Sequence, residues 1–409
     1  MPLNLLDESL TNDISHVTRQ LIVVGNGLDL YCGLASRFAD FFATRRDKLR
    51  SLEHKALKNA PGWQDYLIGN GLTAWDIVLE QSASDQNESK NWSDIETAIA
   101  DWIVPRKAGE DGRYIVQNRH LRRVLAFLNG VRTEYRAQNR FSEGEVAHFL
   151  MYVYRSDSWD HSLLLDKLMV ELHKLEKEFS EYLLDKVEST EGYSERHSKV
   201  FHGVVFDELE GKKRCSLEHS ILNFNYTIPG WFFRDEDFDL VDHYVNIHGD
   251  LHHETVIGID ATGHMDDPGV AQFTKTYRVM GMGSSAVKGI VHSGQGTDSG
   301  PRTALMKFIG HSLNEADYSY FQSLFDTVDL YGGETRLVFY YVPHGGSDFA
   351  SACNHSKKGV MSGVVRLLTK YGETLDNADH GRNLIHKLLL EGRLAVKLVP
   401  GAEDMWQLA

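Results

Sequence analysis

The sequence predicts an α/β fold, a doubly wound and mostly parallel sheet with a helical insertion, and three observations predict it. Short apolar runs recur along the chain, among them LIVV at 21–24, VFYYV at 338–342 and LAVKLV at 394–399, each the length of one buried strand. Stretches with helical periodicity separate them, as crossover connections between parallel strands require. Four of the expected strands also end in a common way: Gly25, Asn225, His248 and Gly310 stand at or just past the strand end. In an open parallel sheet that is the edge where ligands bind.

The first strand is 21–24, and the stretch 21–42, LIVVGNGLDLYCGLASRFADFF, organises the rest. Gly25, Asn26 and Gly27 form a turn that only small or left-handed-tolerant residues follow. Asp29 and Gly33 come next, and Ser36 stands where a helix is capped. A strand, a glycine turn and a helix N-terminus together bind phosphate when bare N–H groups and the helix dipole face the anion. Gly25 and Gly27 match the first two glycines of a dinucleotide fingerprint, although the later spacing is not GxGxxG.

Residues 45–140 lack long β-branched runs and read as mainly helical. Within them NWSDIE at 91–96 has the form of a helix start. An amphipathic helix over 163–187 carries Leu168, Leu172, Leu175, Phe179 and Leu183 on one face, a packing spine or a subunit contact. Strands are expected at 220–226, ending at Asn225; at 241–248, running into His248; at 256–260; and at 304–309, followed by Gly310, His311 and Ser312. The six glycines of 280–301 predict a loop or lid. Helices around 360–370 and 384–391 and a last strand at 394–399 complete the chain.

Composition narrows the function. At 409 residues the chain is long enough for two or three domains. A net charge of -15 argues against a protein whose main work is gripping a nucleic-acid backbone. Three dispersed cysteines, Cys32, Cys215 and Cys353, neither build a four-cysteine zinc site nor fit a disulfide framework, and Cys32 reads as a small buried apolar residue. The N-terminus has no apolar h-region, and no apolar run approaches the ~20 residues that span a bilayer. A cytoplasmic location is the expectation.

Taken in order, IVVGNGLDLYCGL, NWSDIE, LNFNYT, NIHGD, VIGID and FIGHSLNEADYSYF resemble the AbiH family of bacterial phage-abortive-infection proteins. The separate motifs also resemble a degenerate sirtuin-like pattern. By that resemblance Gly25, Asn26 and Gly27 match the turn that holds a dinucleotide. Asn225 of LNFNYT, the segment that also holds Asn223, matches a strand-end asparagine, and His248 matches the catalytic histidine of an HG dipeptide. Gly310, His311 and Ser312 resemble a late segment along the adenosine side, with Asn314 and Asp317 close behind. Asn26 replaces the alanine of the sirtuin turn, Thr227 stands where sirtuins have aspartate, and the four-cysteine zinc module is absent. The resemblance therefore implies NAD+ hydrolysis rather than protein deacetylation. It implies a sirtuin-like Rossmann domain over 1–44 and 200–409, with a mainly helical insertion over 45–199.

The chemistry has simple demands. Cleaving the nicotinamide–ribose bond passes through an oxocarbenium-like state, and nicotinamide leaves neutral. His248 would accept a proton from water or a ribose hydroxyl. The Asn225 amide would orient that water or the ribose with one donor and one acceptor. Asp29 or Asp317 would bond a ribose hydroxyl or only cap a helix. The expectation is an antiphage NAD+ glycohydrolase with NAD+ as substrate and no metal. Activation would come through homo-oligomerisation, a partner ATPase or helicase, or a phage trigger, with the 168–183 face as a candidate contact. The alternative is an NAD- or ADP-ribose-binding regulatory or scaffold subunit. A third reading, a metal nuclease using Asp94, Glu96 and Asp260, lacks a spaced carboxylate motif. Partners among membranes and nucleic acids are not expected.

Overall fold

The computed structural model describes residues 19–54, 62–85, 95–108, 114–116, 118–131, 142–209, 218–227, 241–260, 264–282, 289–294, 302–313 and 317–408. Asp94, Cys215, Asn314 and most of the glycine-rich stretch expected as a lid lie outside them. Eight strands occur in chain order: β1 (Arg19–Val24), β2 (Arg106–Ala108), β3 (Tyr114–Val116), β4 (Glu218–Asn223), β5 (His243–Asn246), β6 (Leu305–Ile309), β7 (Arg336–Tyr341) and β8 (Leu394–Leu398).

Six of them form one sheet in the order β5-β4-β1-β6-β7-β8, and every pairing is parallel. The expected mostly parallel sheet is thus wholly parallel. β1 is central because its apolar run has two neighbours: Val24 pairs with Asn223 on one side and Ile309 on the other. From β1 the chain adds β4 and β5 outward on one side, then β6, β7 and β8 on the other. The order therefore reverses between β1 and β6, the switch point at which such sheets bind ligands.

Alternate residues supply the two buried faces. Ile22, Val24, Ile221, Leu305 and Ile309 pack with Val200, Phe201 and Val204 of the helix Tyr193–Phe206 and with Met405 of the helix Ala402–Leu408. On the other face Phe308 stacks on Phe339 at 4.5 Å and meets Phe321 and Phe325 of the helix Tyr318–Thr327. Phe325 in turn meets Tyr371 of the helix Phe349–Gly372. Lys307 is buried among these strands and is satisfied as a helix C-cap: its ammonium donates to the carbonyls of Val204, Val205 and Asp207 at 2.7–2.9 Å. Burial pushes it down to about 7, against the pull of Asp207 and Glu208.

The chain divides into two compact units, one of 1–35, 186–250 and 283–409, the other of 36–185 and 251–282. The first holds the sheet. The second is largely helical and includes the small antiparallel hairpin β2-β3. Its long helix His161–Ser189 buries Leu168, Leu172, Leu175 and Leu183, and Phe179 packs on Phe38 and Phe41. That apolar stripe is core, so the reading of 168–183 as a subunit contact is corrected.

Residues 256–260 are a second correction. They form no strand and make only one bridge, Ile259 to Thr274. Their backbone is held by another device: Ile257 N–H donates to the buried Glu176 carboxylate at 2.7 Å. Arg278 pairs with the same carboxylate. Glu96 is taken up by Lys275 at 2.6 Å. Among the described residues no helix is long and apolar enough to cross a membrane.

Candidate active site

The strand ends singled out by the sequence lie on one edge because every strand runs the same way. Residues 25–27 follow β1, Asn225 follows β4, His248 follows β5 and residues 310–312 follow β6.

The two loops nearest the switch point are packed directly on each other. Gly25 N–H donates to Ile309 O at 2.9 Å, Gly27 N–H to Gly310 O at 2.7 Å, and Leu28 N–H to Gly25 O at 3.0 Å. A Cβ on Gly25 would lie 2.5 Å from His311 Cα, and one on Gly310 would lie 2.3 Å from Leu28 N, with φ already at +70°. These glycines exist to let backbone meet backbone. The expected row of bare N–H groups facing an anion is not found at Gly25, Gly27 and Leu28, whose donors are taken. The helix that follows, Gly27–Tyr31, is only five residues long. The turn contributes Asn26 to the crevice instead.

The 223–227 turn is held by its own side chains. Asn223 Oδ1 accepts from Asn225 N–H at 3.0 Å, and its Nδ2 donates to Thr227 O and Tyr244 Oη. Asn246 Nδ2 donates to Asn225 O at 2.8 Å. Thr227 Oγ1 donates to Asp29 at 2.6 Å, and Tyr193 Oη donates to the other carboxylate oxygen at 2.8 Å. Burial pushes Asp29 up to about 6, and these two donors oppose that rise. His197 lies 3.7 Å away, but burial pushes it down to about 3, so it stands neutral and makes no ion pair. Asp29 and Asn223 are therefore fasteners of the turn and do not line the crevice. Gly33, at φ +88°, faces the Arg196 guanidinium and also lies away from it. Cys32 is buried, and its thiol is pushed up to about 12 by that burial, in keeping with an apolar role.

The 223–227 turn carries Asn225, which, like His248, is not among the residues lining the crevice. Its side chain is 4% exposed, and neither amide atom has a hydrogen-bond partner among the described residues. A buried primary amide left unpaired costs about 1–3 kcal/mol.

His248 is 3% exposed. Its ring meets Phe224 at 5.7 Å and Tyr320 at 5.9 Å, both edge to face. His248 Nε2 lies 3.4 Å from Asp317 Oδ1, and His311 Nε2 lies 3.4 Å from Asp317 Oδ2. Leu313 N–H donates to His311 Nδ1 at 3.0 Å. When neutral, His311 therefore carries its proton on Nε2, aimed at Asp317. Leu313 holds φ at +55°, a left-handed conformation rare for leucine, so this loop stores strain where it borders the site.

The loops enclose a crevice of about 520 Å³, within the usual range for small-molecule sites. Asn26, Phe224, His311, Ser312 and Asp317 line one part of it. The rest was not singled out in the sequence: Tyr340, Val342 and His344 at the end of β7, and His355, Ser356, Gly359 and Gly363 of the helix Phe349–Gly372. One signal was there to find, since Pro343-His344-Gly345-Gly346 ends its strand as the other motifs end theirs.

Fold and site together define an open, doubly wound α/β protein with a crevice at its switch point. The chain belongs to the AbiH family, bacteriophage abortive infection AbiH, whose pattern matches residues 21–341, from β1 to the end of β7. No curated protein and no solved structure matches the chain.

Proposed function

We propose that this AbiH protein is an antiphage NAD+ glycohydrolase with a sirtuin-like site, cleaving NAD+ to nicotinamide and ADP-ribose. The observation that carries the reading is the approach of His248 to Asp317, on the same sheet edge as the buried Asn225 amide, which has no hydrogen-bond partner among the described residues. Asn225 supplies one donor and one acceptor to a ribose hydroxyl or to water, groups that its own fold leaves unserved. His248 takes the proton of the attacking water as the C1′–nitrogen bond breaks and its electron pair leaves with nicotinamide. Asp317 orients the imidazole and stabilises it once protonated. Gly25, Asn26, Gly27, Gly310, His311, Ser312 and Asp317 form the dinucleotide's surroundings. Homo-oligomerisation, a partner ATPase or helicase, or a phage trigger switches the activity on at infection.

The test is NAD+ consumption by the purified protein, alone and with proteins encoded beside it. Wild type should release nicotinamide and ADP-ribose in equal amounts, and His248→Ala should abolish release. Undiminished release by His248→Ala overturns the mechanism. Tight NAD+ binding without turnover under any trigger moves the assignment to a regulatory subunit.

A further inference from the structure

The crevice continues past the switch point, away from Asp317, and its far end has a different chemistry. It is walled by Val342 and His344 after β7 and by one face of the helix Phe349–Gly372 that carries Ser356, Gly359 and Gly363. His344 is fixed there: its Nδ1 lies 3.0 Å from Val342 O and 2.9 Å from Ser356 Oγ, and Ser356 Oγ also accepts from His344 N–H. That leaves Nε2 as the edge of the ring turned away from these partners. His355 stands edge-to-face to it at 5.6 Å. A Cβ on Gly359 meets nothing within 4 Å, whereas one on Gly363 would touch Leu313. The helix thus presents bare backbone to the open crevice at Gly359. Among the described residues lining the crevice none is lysine or arginine, and the one formally charged group is the carboxylate of Asp317.

We propose that this far end receives the adenosine half of the dinucleotide and selects NAD+ over NADP+. The inference rests on the reading of the crevice as a dinucleotide site. A dinucleotide crosses the switch point with one half on each side. With the scissile ribose at Asn225 and His248, on the β4-β5 side, the other half falls on the β6-β7 side. A flat, neutral purine suits a wall of glycine backbone and valine, with imidazole edges to bond its ring nitrogens or ribose hydroxyls. A 2′-phosphate would bring about two negative charges to a wall with no cation to pair them. Sites for NADP place an arginine there. Gly359 and Ser356, on the helix Phe349–Gly372, lie beyond the stretch that matches the family.

Calorimetry with AMP, nicotinamide mononucleotide, NAD+ and NADP+ tests the proposal on wild type, Gly359→Leu and His344→Ala. Wild type should bind NAD+ at least tenfold tighter than NADP+. Gly359→Leu should weaken AMP and NAD+ at least tenfold, leaving nicotinamide mononucleotide affinity unchanged and the melting temperature no lower, and His344→Ala should weaken AMP several-fold. Unchanged AMP affinity in both folded variants, or equal affinity for NAD+ and NADP+, overturns the subsite while the dinucleotide reading stands. Failure of wild type to bind any of the four nucleotides overturns both.

Discussion

His248 Nε2 lies 3.4 Å from Asp317 Oδ1, an approach that joins the end of β5, the sheet's edge, to the connection that follows β6. Two strands, β4 and β1, lie between the strands that deliver them. Phe224, at the end of β4, fills the space beneath, touching the rings of both His248 and His311.

A carboxylate beside an imidazole favours the protonated ring. Asp317→Asn should therefore lower kcat for NAD+ hydrolysis by roughly a hundredfold. It should also move the acid limb of the kcat/KM profile to lower pH, because His248 then loses its proton more readily. Initial rates from pH 5 to 9 read this, and an unmoved limb removes Asp317 from the positioning role.

Asn225 offers a sharper separation of function from stability. If its amide serves a ligand, the free protein gains nothing from it. Asn225→Leu, of similar volume, should abolish hydrolysis while holding or raising unfolding free energy by about 1 kcal/mol, since it removes a buried unpaired amide. Urea denaturation measures this. A variant destabilised by several kcal/mol would make Asn225 a structural residue.

The glycines should divide by what surrounds them. Gly25→Ala and Gly310→Ala each drive a methyl into backbone and should cost about 3 kcal/mol or more. Gly359→Ala, in a helix interior with open space around its Cβ, should instead gain up to about 1 kcal/mol. Denaturation midpoints of the three variants decide it.

Asp29 links the Asn225 turn to pH. Its pKa is raised from 3.8 to about 6 by burial, so between these values the folded state holds more proton than the unfolded one. Its contribution to stability is full below about 4 and is lost as pH rises through 6, a swing of roughly 3 kcal/mol. Wild type should therefore lose about that much relative to Asp29→Asn between pH 4 and pH 7. Parallel stability curves for the two proteins would refute it.

How the sequence foretold the site follows from its physics. An apolar run that stops at a polar residue marks both a strand and its direction, so 25–27, Asn225, His248 and 310–312 could be placed on one edge before any coordinates. What escaped notice depended on distant partners. Asp29 reads locally as a ribose partner or a helix cap, yet Thr227 and Tyr193, from remote parts of the chain, claim its carboxylate. Residues 256–260 have a strand's composition but no neighbouring strand, and a glutamate side chain stands in for one. Ser356 and Gly359 sit in a helix, where nothing local distinguishes a face lining a crevice from one facing solvent.

The central position of β1 has a consequence for the order of events on the ribosome. The strand is made first, but its two ladder partners come only after residues 218 and 305 have been synthesised. Asp317 and the helix wall at Gly359 come later still. A nascent chain that already displays the glycine turn and His248 therefore has no crevice. Closing such long loops is slow, so the crevice forms only after most of the chain has been made.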